Sequence, residues 1–240
     1  MNHSIKVIGF DADDTLWVNE PFFKEIEEKF CKLLNKFESN ERISQRLFET
    51  ETKNISFYGY GIKSFTLSMV ETALEISNNE IKANTIKEIL NLGKEMLQKP
   101  VKLINGVEKG LKHLKEANYM LIVVTKGDLL DQQRKLQQSG LEDYFHHIEI
   151  VSDKQTKDYA KIFKKQEIHP NEFLMIGNSL KSDVIPVIKL GGYAIHVPYE
   201  VTWKHEEVED TSLHLDTIKY SKTDRISDAI EIILNHENTH

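Results

Sequence analysis

The feature that most constrains this chain is a set of five short apolar runs at residues 7–10, 121–124, 147–151, 173–176 and 194–197. They are rich in β-branched residues and mostly lack polar alternation. That pattern suits strands buried on both faces of a parallel sheet. Helical spacing over 106–117, 128–139, 157–166 and 180–190 alternates with these runs, so the chain reads as α/β: a Rossmann-like parallel sheet with right-handed crossovers and helices on both faces. A last helix over 224–236 carries Ile226, Ala229, Ile230, Ile233 and Leu234 on one face, the stripe of a packed surface helix.

The first run breaks this rhythm, because some eighty residues without a convincing strand follow it. Phe23, Ile26, Phe30, Leu33, Leu34 and Phe37 keep helical spacing. So do Leu67, Val70, Ala73 and Leu74, and then Ile86, Ile89, Leu90, Met96 and Leu97, before Pro100 ends the region. The expected organisation is an α/β core from 1–16 and 101–240, with an all-α insertion over 17–100. Residues 199–222 are polar and carry no clear pattern.

Ligands of open α/β sheets bind outside the carboxyl ends of the strands, so the residues following each run carry the functional signal. The first run leads into Asp11-Ala12-Asp13-Asp14-Thr15. Acids this close behind a buried strand repel one another, and a cation is the natural compensation. The second run leads into Thr125-Lys126-Gly127-Asp128, a hydroxyl and a glycine turn entering a helix, which favours an anion such as phosphate. The third leads into Ser152-Asp153-Lys154, and the fourth into Gly177-Asn178-Ser179-Leu180-Lys181-Ser182-Asp183. Oxygen donors without paired histidines suit Mg²⁺ rather than Zn²⁺. The whole inventory suits phosphoryl transfer, where positioning and charge neutralisation dominate.

These four stretches, in this order, resemble the motifs of the haloacid dehalogenase superfamily, whose members are mostly phosphatases. Residues 11–15 match its DxDx[TV] motif, and 17–100 are similar to its helical cap. The resemblance implies that Asp11 is the nucleophile that forms an aspartyl-phosphate. It implies that Asp13 is the acid/base and offers its backbone carbonyl to Mg²⁺. Thr125 and the Lys126 and Gly127 amides would hold the phosphate, and Lys154 would neutralise its charge. Asn178 and Asp183 would complete the Mg²⁺ shell. Two departures stand out. Asn178 occupies a position where the family usually carries an acid, which leaves the direct ligand open between Asn178 and Asp183. Lys157 lies close to Lys154, and the family spacing to Gly177 favours Lys154.

Each assignment competes with a plainer one. Asp11 and Asp13 could form a solvated acidic turn, Lys154 could be a surface lysine, and Asp128 is better read as a helix N-cap. Cys31 sits among apolar neighbours and reads as a packed thiol. The Gly59-Tyr60-Gly61-Ile62-Lys63-Ser64 stretch is either a helix connector or a loop that brings Tyr60 and Lys63 to the substrate. Trp203 and His205 could border the site.

With 31 basic and 38 acidic residues among 240, the formal net charge of −7 argues against a dedicated nucleic-acid binder. A lone cysteine, no apolar run of membrane-spanning length and no signal-peptide pattern lead to the expectation of a cytoplasmic protein. The function expected is Mg²⁺-dependent hydrolysis of a small phosphorylated metabolite, with the cap choosing the substrate. The alternatives are a phosphomutase and a non-catalytic phosphate-binding or regulatory domain. Asp13 argues against a true dehalogenase, because family members that attack carbon lack an acid there. Sequence alone leaves the oligomeric state open.

Overall fold

The computed structural model describes residues 5–201, 203, 206 and 219–237. The chain divides into two compact units. One comprises the described residues of Met1–Val18, Val101–Lys126 and Lys135–His240, and the other Asn19–Pro100 with Gly127–Arg134. This division keeps Trp17 and Val18 with the sheet, where the expected insertion began at residue 17. The reason is local. Trp17 is 1% exposed and belongs to the core of the sheet unit. It forms a bridge to Leu103, and the Val18 amide donates to the Lys102 carbonyl at 2.9 Å. The outgoing and returning chains are therefore paired before the helices begin.

The helical unit contains α1 (Glu20–Leu34), α2 (Asn40–Tyr58), α3 (Ile62–Ile76) and α4 (Ala83–Gln98). Ile26, Phe30, Leu34, Ile43, Leu47, Phe65, Met69, Ala73, Ile89 and Met96 form its core, with Cys31 buried beside them. The Cys31 thiol packs with burial raising its pKa to about 11, so it behaves as a small apolar group. The α2 helix escapes a reading by apolar spacing because part of its buried face is polar. Below Ile43 and Leu47, the buried positions are Thr50 and Asn54. The Asn54 amide donates to Ser68 Oγ at 3.2 Å and to Glu71 Oε2 at 2.8 Å.

The other unit is built on a six-stranded, all-parallel sheet of order β3-β2-β1-β4-β5-β6. The strands are β1 (Val7–Phe10), β2 (Met120–Lys126), β3 (His147–Val151), β4 (Phe173–Gly177), β5 (Tyr193–His196) and β6 (Tyr220–Lys222). Its helices are α5 (Val107–Glu116), α6 (Leu129–Ser139, whose first residues group with the helical unit), α7 (Thr156–Lys165), α8 (Ile185–Lys189) and α9 (Ile226–Glu237). Ile8, Phe10, Leu121, Val123, Leu174 and Ile176 face α5 and α9 on one side. Val7, Ile122, Val124, Phe173 and Met175 face α7 and α8 on the other. Both faces of β1, β2, β4 and β5 are covered, which is why those runs are apolar at successive positions. The run at 147–151 departs from the expectation of burial on both faces, because β3 lies at a sheet edge with Ile148 exposed. At Gly9 a β-carbon would collide with the Phe173 ring, so this central strand needs glycine for close packing. The strand β6 is short, edge-placed and half-exposed, and its Tyr-Ser-Lys sequence carries no apolar signal. No helix among the described residues is long and apolar enough to cross a membrane.

The helical pattern over 180–190 is realised differently from a single α-helix. Leu180–Val184 form a π-helical turn, and α8 follows it. The Ile185 amide donates to the Leu180 carbonyl, an i→i−5 bond. Pro186 has no N–H for the Ser182 carbonyl four residues earlier. The buried Tyr159 hydroxyl of α7 donates to that carbonyl instead, at 3.1 Å. Replacing Tyr159 by Phe should therefore destabilise the fold by about 1–3 kcal/mol, the cost of stranding a buried acceptor. Urea unfolding checks this, and a variant as stable as the parent would refute the account.

Candidate active site

Strand register brings the acidic turn and the fourth motif together. Phe10 pairs with Ile176 on one side and Val123 on the other. Asp11 thus emerges beside Gly177, with its amide donating to the Ile176 carbonyl at 2.9 Å. The chain then curls back, with the Leu16 amide on the Ala12 carbonyl at 2.8 Å. Asp14 adopts a left-handed φ of 60°, which aspartate tolerates better than most residues.

Lys154 is the hub of this cluster. It follows β3, is 3% exposed, and lies 2.5 Å from Asp11 Oδ1 and 2.6 Å from Asp183 Oδ1. Burial works against its charge, but the two carboxylates outweigh it and hold its pKa well above the ordinary lysine range. Lys157, by contrast, is exposed on α7. Burial pushes the Asp11 carboxyl up to about 7, against the pull of Lys154 and with the help of Asp183 and Asp13. The second Asp11 oxygen accepts from the Thr15 hydroxyl at 3.0 Å. Asp183 is fixed by the Ser179 amide at 3.0 Å. A β-carbon at Gly177 would run into the Asp183 carboxylate, so the fourth motif needs glycine there for Asp183 to turn inward.

The remaining predicted residues fall into separate environments. Asp13 Oδ1 accepts from the Trp17 indole at 2.7 Å and from Lys135 Nζ at 2.6 Å. Thr125 is buried at the end of β2. The Lys126 ammonium turns to Ser182 Oγ at 3.1 Å and forms an ion pair with Glu206. The Asn178 carbonyl lies 2.9 Å from His196 Nε2, and its side chain is outside the Lys154 network. Gly127 takes a φ of 140° before α6, and Asp128 caps that helix by accepting from the Asp131 amide at 3.1 Å. Within the helical unit, the exposed Lys63 pairs with Asp128 at 3.0 Å, and Tyr60 lies two residues before the start of α3. Trp203 is half-buried, and His205 lies outside the described residues.

Three of these partners have no motif signal. Lys135 stands in Gln-Gln-Arg-Lys-Leu-Gln-Gln, which reads as a solvated helix face. Trp17 falls at the first residue of the expected insertion, and Glu206 falls in the polar stretch before β6. Glu206 accepts from the Ser179 and Ser182 hydroxyls as well as from Lys126. It thus braces the turn that carries Asn178 and Asp183.

Among the described residues no three His, Cys, Asp or Glu side chains converge as a ready metal cage. The available donors are oxygens: the two carboxylates that share Lys154, the Asn178 amide, and backbone carbonyls. This is hard-cation chemistry. Burial first, and then the nearby Asp183 and Asp13 carboxylates, disfavour the charged form of Asp11, and Lys154 offsets this in part.

A parallel sheet with a carboxylate pair and a lysine at its carboxyl edge has a counterpart in known proteins. Residues 5–191 match the haloacid dehalogenase-like hydrolase family, and the chain belongs to that family. A haloacid dehalogenase-like family hydrolase from Xanthomonas campestris has a crystal structure with a TM-score of 0.84. It is 35% identical, over 97% of this chain and 91% of that one. A curated relative, the glyceraldehyde 3-phosphate phosphatase of Pyrococcus furiosus, is 30% identical over 117 residues, 45% of this chain and 48% of the relative. The chain spans about half the length of the curated relatives it matches. The fold alone is shared with a 2-haloacid dehalogenase from Pseudomonas syringae, at a TM-score of 0.62 and 16% identity over 97% of this chain and 99% of that one.

The Glu206 cluster has a pH signature. Burial opposes its charge, but Lys126 and the two serine hydroxyls bring its pKa down from 4.5 to about 2. A depressed carboxylate stabilises the fold above its unfolded pKa and loses that contribution as pH falls towards its folded one. Glu206→Gln should cost roughly 3 kcal/mol at pH 7. The gap to the parent should shrink steadily from pH 5 towards pH 3. A gap independent of pH in urea titrations would contradict the assignment.

Proposed function

We propose that this chain is a phosphatase that hydrolyses a small phosphate monoester through an aspartyl-phosphate on Asp11. The observation that carries the reading is Asp13. A second carboxylate, two residues after the first, is held at the same strand end by Trp17 and Lys135. Attack on a carbon–halogen bond needs no such acid, whereas a phosphate ester has a leaving oxygen to protonate. The relative named glyceraldehyde 3-phosphate phosphatase supports the same class and makes that compound the first substrate to test.

In this reading an Asp11 carboxylate oxygen attacks phosphorus, and Asp13 gives its proton to the departing oxygen. Asp13 then takes a proton from the water that cleaves the aspartyl-phosphate. Lys154 balances the charge on Asp11 and the transferring group. Thr125 and the Lys126 and Gly127 amides receive the phosphate oxygens. The Lys126 side chain, turned towards Glu206, leaves that task to its backbone. Asp11, the Asp13 carbonyl and the pair Asn178 and Asp183 are the groups that would hold Mg²⁺. When bound, that ion supplies Lewis-acid charge neutralisation to the phosphate and to the crowded carboxylates.

The helical unit is proposed as the selector of substrate. Its glycine loop is tied at Lys63 and packed at Gly61 against Asp128, the residue after Gly127. Lys63→Ala or Tyr60→Ala should change kcat/KM among phosphate esters of different size more than it changes turnover of the smallest one. Equal losses on every ester would argue against selection by this loop.

Purified protein should release phosphate from p-nitrophenyl phosphate and from glyceraldehyde 3-phosphate with Mg²⁺, and EDTA should abolish release. Asp11→Asn should lower turnover by about 10³-fold or more, because an amide is no nucleophile. A near-parental rate in Asp11→Asn, or activity that survives complete removal of divalent metal, would sink the mechanism.

A further inference from the structure

We infer that Lys135 is a positioning residue for the acid/base carboxylate of Asp13, acting together with the Trp17 indole. The inference rests on the phosphatase reading above and adds a residue that the motifs do not contain. Lys135 sits in the middle of α6, where a lysine in so polar a stretch ordinarily points into water. Here its side chain is only 11% exposed, and its ammonium lies 2.6 Å from Asp13 Oδ1. Burying a flexible cation costs desolvation and rotamer entropy. An apolar side chain of similar volume would fill the same space without that cost, so the charge is there for its partner.

The partner is held in an unusual way. Trp17 Nε1 donates to the same Asp13 oxygen at 2.7 Å. The indole is rigid and 1% exposed, and its backbone forms bridges to both Asp13 and Leu103. Lys135 reaches that oxygen from a helix 122 residues further along the chain. Two donors of independent origin on Oδ1 fix the plane of the carboxylate and, with it, the place of Oδ2. A general acid must lie within hydrogen-bond reach of the leaving oxygen, and small misplacements cost large factors in rate. Both donors converge on Asp13, and their effect on turnover is expected to run through it.

The test uses leaving-group dependence. Good leaving groups such as p-nitrophenol depart without acid help, and alkyl alcohols do not. Lys135→Met keeps the length and apolar stem but removes the donor. It should lower kcat/KM for alkyl phosphates by about 10-fold or more and for p-nitrophenyl phosphate by less than about threefold. Lys135→Arg, which keeps a donor, should recover part of the alkyl phosphate rate. Trp17→Phe should steepen the dependence in the same sense, and it carries the comparison if Lys135→Met does not fold. A uniform loss across leaving groups, or no loss at all, in folded variants would overturn the inference. Asp13→Asn serves as the reference. If Asp13→Asn shows no preference for good leaving groups, the acid role of Asp13 falls; if it does and the Lys135 and Trp17 variants do not, the positioning role alone falls. Parent protein that releases phosphate from none of these esters overturns the phosphatase reading and the inference with it.

Discussion

One ammonium holds the carboxyl edge of the sheet together. Lys154 bridges Asp11 and Asp183, which follow the neighbouring strands β1 and β4, and all three are buried. A buried charge stripped of its partner is strongly destabilising, while a buried carboxylate pair without a cation repels itself. The turn after β1, the loop after β3 and the turn after β4 are thereby locked to one another. The same arrangement sets the electrostatics: burial raises the Asp11 carboxyl to about 7, beside a lysine that the two carboxylates keep firmly charged.

The charges around this hub are sorted into separate pairs. Asp13 answers to Lys135, and Glu206 answers to Lys126. The lysine in the predicted phosphate turn thus spends its charge on the scaffold. What the turn still offers towards an anion is its backbone amides, which are rigid donors. Glu206 in turn bonds the serines that shape the fourth motif, so the segment after β5 contributes to a site formed by earlier strands.

How much of this was legible in the sequence follows from burial. The four interior strands β1, β2, β4 and β5 announce themselves because both faces are covered, while β3 keeps a readable apolar run although it lies at a sheet edge with Ile148 exposed. The motif residues stand out because polar groups directly behind apolar strands are rare. The fold class could therefore be read, and apolar spacing marks α1, α3 and α4 after β1. The α2 helix could not, because Thr50 and Asn54 occupy half its buried face and hydrogen bonds replace apolar contact there. The edge strand β6 has almost no apolar signal, and the π-helical turn at 180–184 depends on a hydroxyl 23 residues earlier. Lys135 and Glu206 are invisible for a related reason. Their roles depend on tertiary neighbours, and a lone charged residue in a polar stretch looks the same whether it faces water or a buried carboxylate.

The division of the chain has a consequence for how such proteins can be recombined. The helical unit is not a single insertion but two segments, since Gly127–Arg134 group with Asn19–Pro100. A chimera that exchanged residues 19–100 alone would separate Lys63 from its counter-ion on Asp128 and Gly61 from the backbone it packs against. The transferable module therefore includes the first turns of α6, and its second seam falls between Arg134 and Lys135. Cutting there would hand a recipient scaffold a new loop and a new helix start together while leaving it the lysine that meets Asp13. The helical unit thus travels as two pieces of sequence that must be moved as one.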